Sequence, residues 1–406
     1  MRRPRARITA SSEVQVNRRA VARIRSGHPW IYRSDLLTTE PALEPGALVI
    51  VVDERSRLLG SALYSSSSLI ALRMISSEAI SAEELPQLIA QRAAAAIAYR
   101  KRLNIDEISN AYRLVFSEAD QLPGLIVDRY ADVLTAQFLT QAMDRDDLRA
   151  AVLRVLIQEL EPVSVIERVE TRIRELENLP PITDRTLYGE KMQTTIQMNG
   201  SQFIYDAAAG QKTGAFLDQR ENYATAAQYA RGRVLDVFCY QGGFAIHLAR
   251  KCSEVTGVDV SRPALEQAEK NAELNSAQLL TVPEWIEGNA FDLLRDYSDL
   301  GEKYDTIVLD PPAFAKTKRA LPTALKGYKE LNLRALKMLR PEGLLVTCSC
   351  SHHVSIADFL EVLASAAVDA RRNLRIVEVR GQSKDHPVVA GIPETSYLKC
   401  VLVIAR

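Results

Sequence analysis

Apolar and polar positions change their spacing three times along the chain, and each change marks a different kind of structure. Over the first 75 residues the pattern is one of short apolar or alternating runs, ALVIVV, LLGSALY and LIALRMI, broken by Asp-Glu, by Gly60 and by a serine cluster. Such runs predict strands, so this part is expected to be all-β. From Ser81 the stretch AEELPQLIAQRAAAAIAYRKRLN is rich in alanine and other helix formers and predicts one helix. The runs YRLVFSE and GLIVDRYADVLTAQFL follow, then a helical stretch over 144–160 and the strand SVIERVE. That β-β-α-β order predicts a small α+β domain. TTIQMNGSQFIYDA holds Asn-Gly between alternating flanks, a strong hairpin signal.

From about residue 218 the pattern is strictly alternating. The strands VLDVF, EVTGVDV, EWIEG, TIVLD, LLVTCS and RIVEV are separated by helical stretches, and CVLVIA comes last. Alternation of this kind predicts right-handed crossovers and a doubly wound, Rossmann-like parallel sheet, so the fold class is α/β. The expected domains are 1–75, 76–190 and 191–406, with 191–217 as hairpin and linker.

Composition narrows the setting. The chain has 406 residues, 47% apolar and 25% charged, values of an ordinary globular protein of two or three domains. No apolar run approaches the roughly 18 residues of a membrane span, so no membrane partner is expected. An odd number of cysteines, five, suits free thiols in a reducing compartment, and a cytoplasmic location is expected. Net charge is zero, yet residues 1–33 carry nine arginines against the one acid Glu13. A basic arm of that kind suits a polyanion, and it also suits a plain solvated tail.

The chemistry concentrates at the carboxyl ends of the late strands, where a doubly wound sheet binds its ligands. VLDVF runs into CYQGGFAIHLARK, where Gly242 and Gly243 allow close backbone approach and the next helix offers free amides. Asp259 ends the following strand, 23 residues after Asp236, a spacing suited to ribose hydroxyls. The G-x-G-x-x-G triple of dinucleotide sites is missing. An acid inside the first strand fits S-adenosylmethionine better, with Asp236 near the amino-acid end of the cofactor and Asn289–Asp292 after the third strand. The fourth strand ends DPPAF, in which Asp310 is stiffened by Pro311 and Pro312, and Phe314 is suited to stack on a base.

LVTCSCSHH places Cys348, Cys350, His352 and His353 within six residues. No second pair of ligands accompanies them, so no metal is expected. Periodicity puts both cysteines on one side of a strand. Position along the strand favours Cys350, nearer the ligand edge, as a nucleophile and Cys348 as a packing residue.

Taken together, DVFCYQGGFAIHLA, GVDVSRPALEQAEKNAELN, DPPAFAKTK, GYKELNLRALKML and Ser349–Ser351 resemble the bacterial ribosomal RNA large-subunit methyltransferase I family. GHPWIYRSDL, LPGLIVDRYADVL and GQKTGAFLDQRENY extend the resemblance over almost the whole chain. It implies an N-terminal PUA domain that binds RNA, a central α+β domain and a class I methyltransferase domain making 5-methylcytosine in 23S ribosomal RNA. By that resemblance Asp236, Phe238, Tyr240, Gly242, Gly243, Asp259, Asn289, Asp292, Asp310, Pro311, Phe216 and Asp218 bind the cofactor. Cys350, inside the family's SCS motif, and Asp310 are implied as catalytic. Phe314, Lys212, Arg220, His28 and Trp30 are expected to meet RNA, in free or partly assembled large subunits, and a homodimer is compatible with the chain. Two other functions fit the same stretches: methylation of a guanine or adenine nitrogen, and RNA binding by an inactive assembly factor.

Overall fold

The computed structural model describes residues 12–37, 43–208 and 215–406. The chain forms two compact units. One holds residues up to Thr194 with 206–214 and 385–395, and the other holds 195–205, 215–384 and 396–406.

In the first unit, strand β1 (Glu13–Val16) leads into helix α1 (Arg18–Arg25), followed by β2 (Trp30–Tyr32), β3 (Leu48–Asp53), β4 (Leu58–Tyr64) and β5 (Ile70–Ser76). These strands form one sheet in the order β1-β3-β4-β5-β2, closed over Val16, Ile31, Val49, Val51 and Leu72. Helix α1 departs from the all-β expectation. Four of its eight residues are arginines, which hide the short apolar face of Ala20 and Val21. The start signal was present all the same: Asn17 caps the helix by accepting from the Ala20 amide.

Helix α2 (Leu85–Arg102) fills the expected alanine-rich stretch. A second sheet follows from β6 (Ala111–Phe116), β7 (Leu125–Tyr130), β8 (Val133–Phe138), helix α3 (Asp146–Leu160), β9 (Ser164–Glu167), helix α4 (Thr171–Leu176) and β10 (Arg185–Tyr188). Its order is β10-β9-β8-β7-β6. The long run 124–139 is therefore two strands, not one. Tyr130 pairs with Val133 across a two-residue turn, and Ala131 adopts a φ of 55° there without a glycine to announce it. Segment 385–395 belongs to this unit. Its Asp385 carboxylate accepts from the Arg113 amide at 2.8 Å, and its carbonyl accepts from Arg100 at 2.7 Å.

Strands β11 (Gln193–Met198) and β12 (Ser201–Asp206) are the expected hairpin, with Asn199 at φ 50° and Gly200 at φ 80°. Left-handed values at both turn positions match the twist of the flanking strands. The second unit continues with helix α5 (Arg220–Tyr229), β13 (Arg233–Val237), α6 (Gly243–Ala249), β14 (Glu254–Asp259), α7 (Arg262–Leu274) and β15 (Glu284–Glu287). It ends with α8 (Ala290–Leu300), β16 (Tyr304–Leu309), α9 (Leu321–Met338), β17 (Leu339–Ser349), α10 (Ile356–Ala370), β18 (Leu374–Arg380) and β19 (Lys399–Ala405). Sheet order is β15-β14-β13-β16-β17-β19-β18.

The doubly wound sheet is thus present, with one departure from an all-parallel arrangement: β19 runs antiparallel to both β17 and β18. CVLVIA is a continuous apolar run, and such a run reports burial on both faces without reporting direction. Strand β13 lies between β14 and β16. The chain winds outward on either side of it, which opens a crevice at the carboxyl ends of β13 and β16.

Candidate active site

Two acids stand at that crevice. Asp236 lies near the end of β13 and is fully buried, and its Oδ2 accepts from the Ala245 amide at 2.9 Å. Among the described residues Asp236 Oδ1 has no hydrogen-bond partner. Burial pushes its pKa up to about 8, with the neighbouring Asp310 and Asp259 charges adding to the rise. A buried carboxylate oxygen without a donor is costly, and it suits a ligand carrying an N–H donor or positive charge.

Asp310 follows the last residue of β16. Burial first, and then the Asp218 charge, raise it to about 7, while bonds from Gln219 and Cys348 act in the other direction. Gln219 Nε2 donates to Asp310 Oδ1 at 3.0 Å, and Asn222 fixes that glutamine by donating to its oxygen at 2.6 Å. Gln219 stands in the DQR stretch beside Asp218, yet only the fold shows that it faces Asp310. Asp218 accepts from the Tyr397 hydroxyl at 2.7 Å, and its carbonyl accepts from the Ser383 amide at 2.8 Å.

The turn after β13 is backbone-strained. Phe238 has φ 67° and Tyr240 has φ 49°, left-handed values that bulky side chains rarely adopt. The Tyr240 amide donates to Asp259 Oδ2 at 2.9 Å and the Ser261 amide to Asp259 Oδ1 at 2.9 Å, so Asp259 holds its own turn as well as facing the crevice. Phe216 is 41% exposed, with its ring edge-on to Tyr240 at 5.2 Å. The glycines serve packing first. A Cβ on Gly242 would lie 2.8 Å from Trp285, and one on Gly243 would lie 2.6 Å from Tyr223.

Other expected positions have visible local tasks. Asn289 caps α8 by accepting from Phe291 and Asp292, and Asp292 pairs with Arg295 at 2.5 Å. Phe314 is half-buried with its ring 4.7 Å from that of Tyr328. Arg220, only 1% exposed, is too buried to offer its guanidinium to RNA in this conformation. His28 is buried as well, with Nε2 3.0 Å from Glu394, while half-buried Trp30 donates from its indole to Glu118 at 2.9 Å. Both correct the expectation of open RNA-facing groups: each side chain is occupied by an acid of its own unit. Lys212 lies outside the described residues.

The two strand cysteines differ. Cys348 is fully buried, opposite Cys400 in the β17–β19 register. Cys350 stands one residue beyond β17, half-buried, with Sγ 3.9 Å from the Pro311 carbonyl. Leu309 pairs with Thr347, so the residues just beyond the paired ends of β16 and β17 meet at one edge. His352 and His353 sit in the turn that follows, and Ser355 caps α10 through a capping box with Asp358. Among the described residues no three His, Cys, Asp or Glu side chains gather as a metal would need.

A doubly wound sheet with an acid-lined crevice at its switch point, in a chain that also carries a small β domain, defines a Rossmann-like methyltransferase. Family models agree: residues 14–77 match a PUA-like domain, and residues 147–402 match the S-adenosylmethionine-dependent methyltransferase model. Its cofactor is therefore S-adenosylmethionine. More closely, the chain belongs to the ribosomal RNA large subunit methyltransferase I family. It is 39% identical over 389 residues to that enzyme from Tolumonas auensis, covering 93% of this chain and 95% of the relative. The relative of the same name from Aeromonas hydrophila is 37% identical, over 93% of this chain and 96% of its own. Among solved structures, a protein assigned as a methyltransferase and crystallised with S-adenosylhomocysteine aligns with a TM-score of 0.81 at 19% identity, covering 97% of this chain and 99% of that one. One from Streptococcus mutans gives 0.80 at 19% identity over the same shares. These two speak for the fold alone.

Proposed function

We propose that the chain methylates carbon 5 of a cytosine in 23S ribosomal RNA, with Cys350 as nucleophile and Asp310 holding the base. The names of the relatives support the RNA class, and the PUA-like domain supports RNA as the partner. Carbon 5 of cytosine is too weak a nucleophile to take a methyl group unaided, so a thiol at this edge has a specific use. The Cys350 thiol gives its proton to water as sulfur bonds to carbon 6, which makes carbon 5 electron-rich. S-adenosylmethionine supplies the electrophilic methyl group. Loss of the carbon-5 proton to a base or water then re-forms the double bond and expels the thiolate.

Asp310, raised to about 7, is partly protonated near neutral pH. In that form it donates to the ring nitrogen on which charge accumulates as sulfur adds, and as carboxylate it accepts from the amino group. Asp236 and Asp259 are assigned to the cofactor, Asp236 through its unpartnered Oδ1. Phe238, Tyr240, Gly242, Gly243, Asn289, Asp292, Pro311, Phe216 and Asp218 form the rest of the proposed cofactor lining. Phe314 is the candidate for base stacking.

The observation that carries this reading is the half-buried Cys350 thiol against the Pro311 carbonyl, beside a deeply buried Cys348. The test is transfer of a labelled methyl group to ribosomal RNA. Cys350→Ser should lose activity by about 10³ or more, and Cys348→Ser should stay near wild type. Full activity in Cys350→Ser would move the target to a purine nitrogen, and a dead Cys348→Ser beside an active Cys350→Ser would name the other thiol. Cofactor binding without any transfer by the wild type would leave the inactive assembly factor.

A further inference from the structure

Lys399 opens β19 directly opposite Ser349, the last residue of β17. It is 7% exposed, and its Nζ donates to the Ser351 carbonyl at 2.7 Å and to the Tyr397 carbonyl at 2.8 Å. The first of these bonds holds the turn that carries Cys350. Among the described residues Lys399 forms no ion pair with a carboxylate. A buried ammonium met only by carbonyl oxygens is poorly compensated, and the remaining N–H calls for an anion.

We propose that Lys399 is the positioning residue of Cys350: it pins the Cys350–Ser351 turn through the Ser351 carbonyl and provides the positive charge that holds the sulfur as thiolate. The proposal rests on Cys350 as nucleophile. The charges around the sulfur support it. Burial, and then Asp310 and Asp218, push the Cys350 thiol up to about 11, and Lys399 is the cation that opposes them. Burial draws Lys399 down to about 8, and a Cys350 anion draws it back up. The other groups packed on this turn are the Tyr328 hydroxyl, bonded to Ser351 Oγ at 2.9 Å, and His352, whose ring lies 5.7 Å from that of Tyr397. Each member of the thiol–amine pair is disfavoured as an ion when alone, and each favours the ionised form of the other. The step balances with the proton going to solvent: the S–H bond breaks, water takes the proton, and the thiolate left behind is held by the Lys399 ammonium.

The test is the pH profile of Cys350 alkylation by iodoacetamide in the full chain without cofactor, read by mass spectrometry on the Cys350 peptide. Lys399→Gln keeps a donor for the Ser351 carbonyl and removes the charge. It should move the thiol titration up by about one unit or more, and slow alkylation at neutral pH about tenfold. An unshifted profile in folded Lys399→Gln would overturn the proposal and leave Lys399 as a turn brace. If Lys399→Gln does not fold, Lys399→Arg decides, since a retained charge should retain the wild-type profile and a profile shifted upward would overturn the proposal. The profile does not depend on catalysis. An active Cys350→Ser enzyme would therefore refute the nucleophile without touching this result, and an unshifted Lys399→Gln profile would refute Lys399 without touching the nucleophile.

Discussion

Buried carboxylates occur in both units, and they are treated in opposite ways. In the sheet of the first unit, Glu167 is 1% exposed and receives Arg149 at 2.9 Å and Arg185 at 2.7 Å. Asp128, two strands along the same sheet, takes two nitrogens of the Arg113 guanidinium at 2.8 and 3.0 Å. At the crevice of the second unit, Asp236 and Asp310 form no ion pair among the described residues. The consequence is visible in their protonation. Burial alone would raise Glu167, yet its two arginines bring it below the ordinary carboxylate value, whereas Asp236 and Asp310 are carried up to about 8 and 7. Fixed partners make the first set structural. The second set is buried without a cation, at a stability cost, and groups of that kind mark functional sites.

The sharpest way to break this contrast is Asp310→Asn. It preserves shape and removes the acid, and methyl transfer should fall by about 10²–10⁴ while the fold is retained. Wild-type rates in that variant would remove Asp310 from the chemistry. On the other side, Arg149→Met leaves Glu167 with a single exposed arginine, and should cost about 3 kcal/mol in denaturant unfolding with little change in cofactor affinity. A loss of cofactor binding instead would show that the two sets are linked.

A smaller effect separates them by pH. Asp236 and Asp310 have raised pKa values in the folded state, so their contribution is fully present below the ordinary value near 4 and is lost as pH rises through 7 to 8. Glu167 is lowered, so its contribution is present above its ordinary value and is lost only as pH falls further. Cofactor-free protein should therefore melt progressively lower between pH 5 and 8, and Asp236→Asn should flatten that slope by roughly 5 °C at the alkaline end. An identical slope in the variant would show that Asp236 is already paired.

The pattern of apolar positions carried the α/β class, the Asn-Gly hairpin and helix α2, because each is written in local periodicity or turn chemistry. It did not carry α1, whose arginines outnumber its two buried residues. Nor did it carry the turn at Ala131, where a non-glycine residue takes a left-handed φ. At the crevice, Asp236 and Asp310 stand out in sequence because strand ends and prolines frame them. Gln219 and Lys399 do not, since their roles depend on strands and turns brought together from distant parts of the chain. A lysine before CVLVIA looks like an ordinary strand flank until β19 is laid antiparallel against β17. Contacts of segment 385–395 with Arg100 and Arg113 are equally invisible, lying more than 270 residues apart in sequence.

The indole of Trp285 lies against the sites where Gly242 and Gly257 would carry a Cβ, 2.8 and 2.5 Å away. The sequence has two tryptophans, and the other, Trp30, belongs to the first unit. Each unit thus carries one tryptophan. Replacing Trp30 with phenylalanine leaves tryptophan emission from Trp285 alone, a label-free signal from the packing of β15 against β14 and the β13–α6 turn in solution.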